Sequence, residues 1–168
     1  PYFGPYAMSK QHAEELARWY CATRSLPLTV LRPSQIYGND EEFRRHQPLI
    51  YVMADCAEAA QDITIYGTRD ALRNYIHADD LCAIIARVVQ RRLEGTYACL
   101  YPKDVRYTEV ANAAFRAFGA AGKVVRFRDD QPDIPDNVFA QDDTLYRELE
   151  WFPRITMDEG MEQLAEFR

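Results

Sequence analysis

Apolar and polar positions along the chain switch between helical and strand-like spacing, with no internal repeat and no low-complexity tract. Residues 6–24 have a helical pattern opening after Pro5, with Leu16, Ala17, Trp19 and Tyr20 on a broad apolar face. Leu28-Thr29-Val30-Leu31 follows Pro27 as a short apolar run and fits a strand buried on both faces of a parallel sheet. Pro33, Gly38-Asn39-Asp40 and Pro48 then mark residues 33–48 as a loop. A helix over 48–60 follows, then a strand over 63–66 and a turn at Gly67. The clearest helix covers 79–92: Leu81, Ile84, Ile85 and Val88 recur at helical spacing, and Asp79 is the candidate N-cap. A strand over 96–100, a helix from Thr108 to Phe118 stopped by Gly119, and a strand over 124–127 come next. Two short helices end the chain. One starts after Asp142 or Asp143 and stops before Pro153; the other opens at Thr156, whose spacing to Glu159 fits a capping box.

Strands separated by helices predict an α/β fold with a sheet that is at least partly parallel. The loop over 33–48 follows the carboxyl end of an inferred central strand, where open α/β sheets bind ligands.

Composition narrows the function classes. A chain of 168 residues is long enough for one domain with a real core and too short for two sizeable ones. Its formal net charge of −6 argues against a nucleic-acid or anionic-membrane partner, both of which call for a basic excess. No apolar run approaches the roughly 20 residues that span a bilayer. Cys21, Cys56, Cys82 and Cys99 are dispersed, without a C-x-x-C pair. That usage fits buried thiols in a reducing, cytoplasmic compartment. His12, His46 and His77 share no ligand spacing with them, so no metal site is expected.

Candidate chemistry begins at Tyr6-Ala-Met-Ser-Lys10. Residues four apart on a helix share a face, so a phenol and an ammonium point into the same space. A nearby cation favours the phenolate over the phenol, which turns a poor base into a proton shuttle. Oxidising an alcohol requires such a group, because the hydroxyl proton must leave as hydride departs from carbon. An exposed Tyr–Lys pair with no chemistry is the plainer alternative.

Context shifts the balance between them. Pro5-Tyr-Ala-Met-Ser-Lys10, with Glu14 one turn further on, is followed by Leu31-Arg-Pro-Ser-Gln-Ile-Tyr-Gly38. Ile65-Tyr-Gly67, Arg73-Asn-Tyr-Ile-His-Ala-Asp-Asp-Leu81 and Leu149-Glu-Trp-Phe-Pro153 come later in the same order. Together these segments resemble the extended short-chain dehydrogenase/reductase family, and within it the NAD-dependent epimerase/dehydratase group acting on sugar nucleotides. The resemblance implies a fold made of the C-terminal part of a Rossmann-like parallel sheet plus a small α/β substrate-binding lobe. Residues 1–47 would end the cofactor-binding domain, and 48–168 would be mostly substrate lobe with short segments returning to the sheet.

The same resemblance implies roles. Tyr6 would be the catalytic acid/base, Lys10 would hold the nicotinamide ribose of NAD or NADP, and Pro33 would lie near the nicotinamide. Gln35 would contact the sugar nucleotide, and Arg73 would neutralise the substrate diphosphate, a task suited to a planar fork of donors. A homodimer is implied for the intact protein. Structural alternatives stand beside these: Pro33 as a strand end, Arg73 as a surface ion-pair member, and His77, Asp79 and Asp80 as helix-start residues. Ser9 is not the family's catalytic Ser/Thr, which precedes the tyrosine on an earlier strand.

The chain also departs from the pattern. Gln35 stands for a family Asn, Ala98 for a frequent Asn and Glu150 for a Gly, and the 67–73 stretch lacks a second glycine. No G-x-x-G-x-x-G occurs, although that turn cradles the dinucleotide pyrophosphate, and the first residue is Pro1. The expectation is therefore the C-terminal half of such an enzyme, inactive alone. The alternatives are a non-catalytic member of the fold, or a reductase of a small non-nucleotide carbonyl.

Overall fold

A computed structural model describes residues 4–168, so residues 1–3 of the expected first division lie outside it. Pro5 opens helix α1, Pro5–Thr23, close to the expected span. Strand β1, Thr29–Pro33, then runs into β2, Gln35–Tyr37. Helix α2, Pro48–Glu58, leads to β3, Ile63–Tyr66, and the Gly67 turn, where φ is +87°. Two short strands follow, β4, Leu72–Arg73, and β5, Tyr75–His77, before helix α3, Ala78–Arg91. Strands β6, Gly95–Cys99, and β7, Val105–Arg106, precede helix α4, Tyr107–Ala117. Strand β8, Val125–Arg128, and helices α5, Thr144–Leu149, and α6, Met157–Phe167, complete the order.

The α/β class is as expected, and three of the four strand pairs are parallel. β1 lies on β6, β2 on β5 and β3 on β8, while β4 and β7 pair antiparallel. β1 and β2 act as one strand that changes partner at Ser34. The Ser34 N–H donates to the Cys99 carbonyl at 3.1 Å, and the Gln35 N–H to the Asn74 carbonyl at 3.2 Å. Buried Asn74 secures the crossing, exchanging hydrogen bonds with both the N–H and the carbonyl of Tyr101. The expected 33–48 loop therefore contains a strand and a 3-10 turn over Glu41–Arg45, capped by the Asp40 carboxylate on the Glu42 N–H.

Two clusters make the core. The larger joins α2, β3, α4 and α6 through residues such as Ile50, Met53, Ile65, Val110, Ala114 and Met161. β3 shows why: Ile63 and Ile65 are buried and the alternate Thr64 and Tyr66 are exposed, the period of a half-buried strand. The smaller joins β5, α3, β6 and α5 through Ile76, Ile84, Val88, Cys99 and Leu145. Gly160 is needed where α6 meets the buried Tyr37 ring, since any Cβ there would strike it. The Thr156 capping box forms: the Glu159 N–H donates to Thr156 Oγ1, and the Thr156 N–H to the Glu159 carboxylate.

Several expectations are corrected. His77, not Asp79, caps α3, its Nδ1 accepting from the Asp79 N–H at 3.2 Å; Asp79 sits in the first turn, complementing the helix dipole. Asp80 instead accepts the N–H groups of Arg154 and Ile155, pinning the α5–α6 connection. β1 is half-buried rather than covered on both faces. Cys82 is exposed, while Cys99 is buried and its thiol is pushed up to about 12 by burial. The apolar residues Leu16, Trp19 and Tyr20 of α1 are all exposed.

Candidate active site

The first turn of α1 places Tyr6 and Lys10 side by side, with the ammonium 5.6 Å from the phenol ring centroid. Tyr6 is 75% exposed, and its carbonyl accepts a hydrogen bond from Ser9 Oγ at 2.8 Å. Tyr37 is the contrast: it is buried, donates to the Thr156 carbonyl, and is held in the phenol form by burial. A tyrosine in that setting is structural.

Tyr6 and Lys10 line a cleft of about 850 Å³ whose wall also contains Pro33 and Gln35. Four of the five residues singled out from the sequence thus meet in one place. They meet at the carboxyl end of β1, where an open α/β sheet places its ligands. The cleft follows β1 into β2, from Leu28 to Ile36 with Arg32 included, and its wall also holds Glu14 and Ala17 of α1 together with Phe43, His46, Gln47 and Phe139. His46 and Gln47 fall in the 33–48 loop expected to meet a ligand, whereas Phe139 carried no signal in the sequence. Gln35 donates its amide N–H to Gln47 Oε1 at 2.9 Å, tying β2 to the start of α2. Its own Oε1 is buried without a partner, as is Ser34 Oγ beside it.

Arg73, the fifth residue, is not in that wall. It lies in β4, not in a loop, and only 6% of it is exposed. Its guanidinium stacks over the Tyr107 ring at 4.7 Å, and Nη1 donates to the Leu72 and Pro135 carbonyls at 2.8 and 2.6 Å. The surface ion-pair alternative is therefore excluded. Arg73 precedes Tyr75 by two residues, and Tyr75 is the register partner of Gln35. His77 is buried beside Tyr37, and burial lowers its pKa below the usual range. Its place is the α3 cap, so it serves as structure. Among the described residues no group of three or more His, Cys, Asp or Glu side chains could hold a metal ion. Nor is any described helix long and apolar enough to cross a membrane.

Residues 1–99 match the model of the NAD dependent epimerase/dehydratase family. The chain belongs to that family. Among its relatives is a dTDP-glucose 4,6-dehydratase of Streptomyces niveus, 26% identical over 165 residues. That match covers 97% of this chain and 48% of the relative. A trifunctional UDP-glucose 4,6-dehydratase/UDP-4-keto-6-deoxy-D-glucose 3,5-epimerase/UDP-4-keto-L-rhamnose-reductase of Arabidopsis thaliana is 24% identical, over 97% of this chain and 24% of its own length. The fold matches UDP-N-acetylglucosamine 4-epimerase from Bacillus cereus with a TM-score of 0.78 at 19% identity, over 96% of this chain and 53% of that one. It also matches a dTDP-glucose 4,6-dehydratase from Bacillus anthracis in complex with NAD, with a TM-score of 0.75 at 24% identity, over 99% and 52%. The chain of this epimerase/dehydratase family member spans about half the length of most of these relatives, and about a quarter of the trifunctional one.

Toward one end of a dinucleotide the cleft offers a phenol and an ammonium on one helical turn, in a wall shared with Pro33. The seven glycines of the chain never form a pyrophosphate-binding turn, so the other end has no cradle within these 168 residues.

Proposed function

We propose that the chain carries the proton-transfer and substrate-side portion of an NAD(P)-dependent sugar-nucleotide epimerase/dehydratase. The observation that carries this is the convergence of Tyr6, Lys10, Pro33 and Gln35 on one cleft. Bound there, the nicotinamide supplies a two-electron acceptor for oxidation of a sugar hydroxyl to a ketone. Tyr6 takes the hydroxyl proton on its phenolic oxygen. Lys10 orients the ribose beside it, Pro33 packs near the nicotinamide, and Gln35 contacts the substrate. Arg73, with Nη1 already held in place, turns its remaining donors to the substrate diphosphate. Residues 1–47 finish the cofactor-binding domain and 48–168 form mostly the substrate lobe. If the same hydride returned to the other face of the ketone and Tyr6 gave its proton back to the oxygen, the product would be the inverted alcohol of an isomerase; elimination of water from the neighbouring carbons would be the step of a lyase. The exposed Leu16, Trp19 and Tyr20 support a homodimer of the intact protein, and the four free thiols support a cytoplasmic setting.

Arg73's two carbonyl partners and its absence from the cleft wall favour one second reading, a reductase of a small non-nucleotide carbonyl. A thermal-shift comparison of UDP-, dTDP- and GDP-sugars separates the two, since only the sugar-nucleotide enzyme is stabilised by one of the series. The mechanism is tested by Tyr6→Phe in the whole protein. Loss of the proton acceptor is expected to cut turnover by roughly 10²–10⁴-fold while cofactor affinity stays close to wild type. Unchanged turnover would reject Tyr6 as the acid/base.

A further inference from the structure

Within this chain α1 buries no residue, yet it carries two of the cleft side chains, so polar contacts carry much of its attachment to the strands here. Its half-buried residues are Glu14, Ala17 and Cys21, three and four apart and hence on one face. Glu14 is the charged member of that stripe and lies one turn beyond Lys10. Its carboxylate accepts from Arg32 Nε at 3.1 Å and from Arg32 Nη2 at 2.7 and 3.0 Å, a fork that fixes distance and plane together. It also accepts from Arg18 Nη2 at 2.8 Å, and Arg18 continues to Thr96 Oγ1 on β6. Arg32 is the residue before Pro33 on β1. The carboxylate is thus shared between two guanidinium groups, bridging α1 to the strand pair below it in the wall of the same cleft that Lys10 lines.

We infer that Glu14 and Arg32 are positioning residues, a clamp that sets α1 against the carboxyl end of β1. Through it, Tyr6 and Lys10 are held at a fixed distance from Pro33 and Gln35. The inference rests on the functional reading above only for its catalytic consequence. Pairs this exposed add little to overall stability, so the clamp's work is alignment. Alignment matters to rate because a misplacement of about 1 Å can cost on the order of 10²-fold. The hydrogen bonds from Arg32 and then Arg18 hold the Glu14 carboxyl below its ordinary range, which extends the charged clamp toward more acid pH.

The test uses Glu14→Gln and Arg32→Lys in the whole protein, together with the reversal Glu14→Arg/Arg32→Glu. Three quantities are measured: amide hydrogen exchange of α1, melting temperature, and kcat against KM for a sugar nucleotide. Arg32→Lys keeps the charge and loses the fork, so it is expected to behave like Glu14→Gln. Both should raise α1 exchange about tenfold, leave α4 exchange and the melting temperature at wild type, and lower kcat about tenfold with KM within about twofold. The reversal should recover part of the α1 protection. Wild-type α1 exchange in both single variants, or a fall in melting temperature that accompanies the loss of kcat, would overturn the clamp. If the wild-type protein turns over no sugar nucleotide, the functional reading fails and the exchange measurement alone decides the clamp.

Discussion

Helix α1 runs for 19 residues and buries none of them, whereas α4 buries six of its eleven. Both carry apolar residues at helical spacing. In α4 the inward face includes Val110, Phe115 and the small residues Ala111, Ala113 and Ala114, which let α2 and α6 approach closely. In α1 the large apolar residues point outward, Leu16 and Trp19 each 64% exposed, and the face toward the sheet is built from Glu14, Ala17 and Cys21. An apolar stripe therefore states which face can be buried, not which face this chain buries. The two helices hold position by different physics, close packing in one and directional hydrogen bonds in the other.

That comparison can be pressed at four places. Phe115→Ala opens a cavity in the larger core and is expected to cost about 3–5 kcal/mol, read as a shift in the denaturant midpoint. A loss under about 1 kcal/mol would mean that the α4 face is not close-packed. At the end of α5, Glu150 adopts φ +49°, the left-handed region that favours glycine. Glu150→Gly is expected to stabilise by about 1 kcal/mol or less, since relief of strain is partly offset by unfolded-state entropy and by loss of the Arg91 ion pair at 2.9 Å. A fall in thermal midpoint would show that the ion pair outweighs the strain.

His77 gives a pH-dependent effect. Burial depresses its pKa in the folded state, so the folded imidazole stays neutral while the unfolded one protonates near 6.5. Its contribution is complete above that value and is lost as pH falls below it. His77→Asn keeps an acceptor for the Asp79 N–H and should flatten the stability profile between about pH 7 and 5, measured by urea melts across that range. An unchanged slope would place the titrating group elsewhere. The smallest effect belongs to α1. Trp19→Ala should change the stability of the 168-residue chain as a monomer by about 0.5 kcal/mol or less, read in dilute urea melts, and a loss there comparable to Phe115→Ala would show that the chain itself buries α1.

Much of the fold was legible because long periodic segments carry their own signal. The strand over 63–66 was placed to the residue, and α2, α4 and the Thr156–Glu159 capping box fall within two residues of expectation. β2, β4, β5 and β7 were not seen, since two or three residues hold no period and their pairing partners lie far away in sequence. The α3 cap was misplaced because an acceptor for the Asp79 N–H can be an imidazole as well as a carboxylate. In the candidate site, Tyr6 and Lys10 were readable from their spacing, while Pro33, Gln35 and Arg73 came from motif resemblance. Phe139 reaches the cleft through the tertiary fold, which local pattern does not encode, whereas His46 and Gln47 lie in the 33–48 loop expected at the ligand-binding end of the sheet. The burial of Arg73 was hidden for the same reason, its partner Pro135 being 62 positions away.

The Asp80 carboxylate that binds the Arg154 and Ile155 amides also has a kinetic meaning. The partners are 74 and 75 residues apart, and β1–β6 and β3–β8 are likewise distant parallel pairs. Loop-closure entropy must be met before any of these contacts is rewarded, and parallel non-local pairing slows the search. The Asp80 contact belongs to the α5–α6 connection, while α6 itself packs on α4. One carboxylate therefore spans a closure of some 75 residues, the kind of contact that adds to folding time more than to local order.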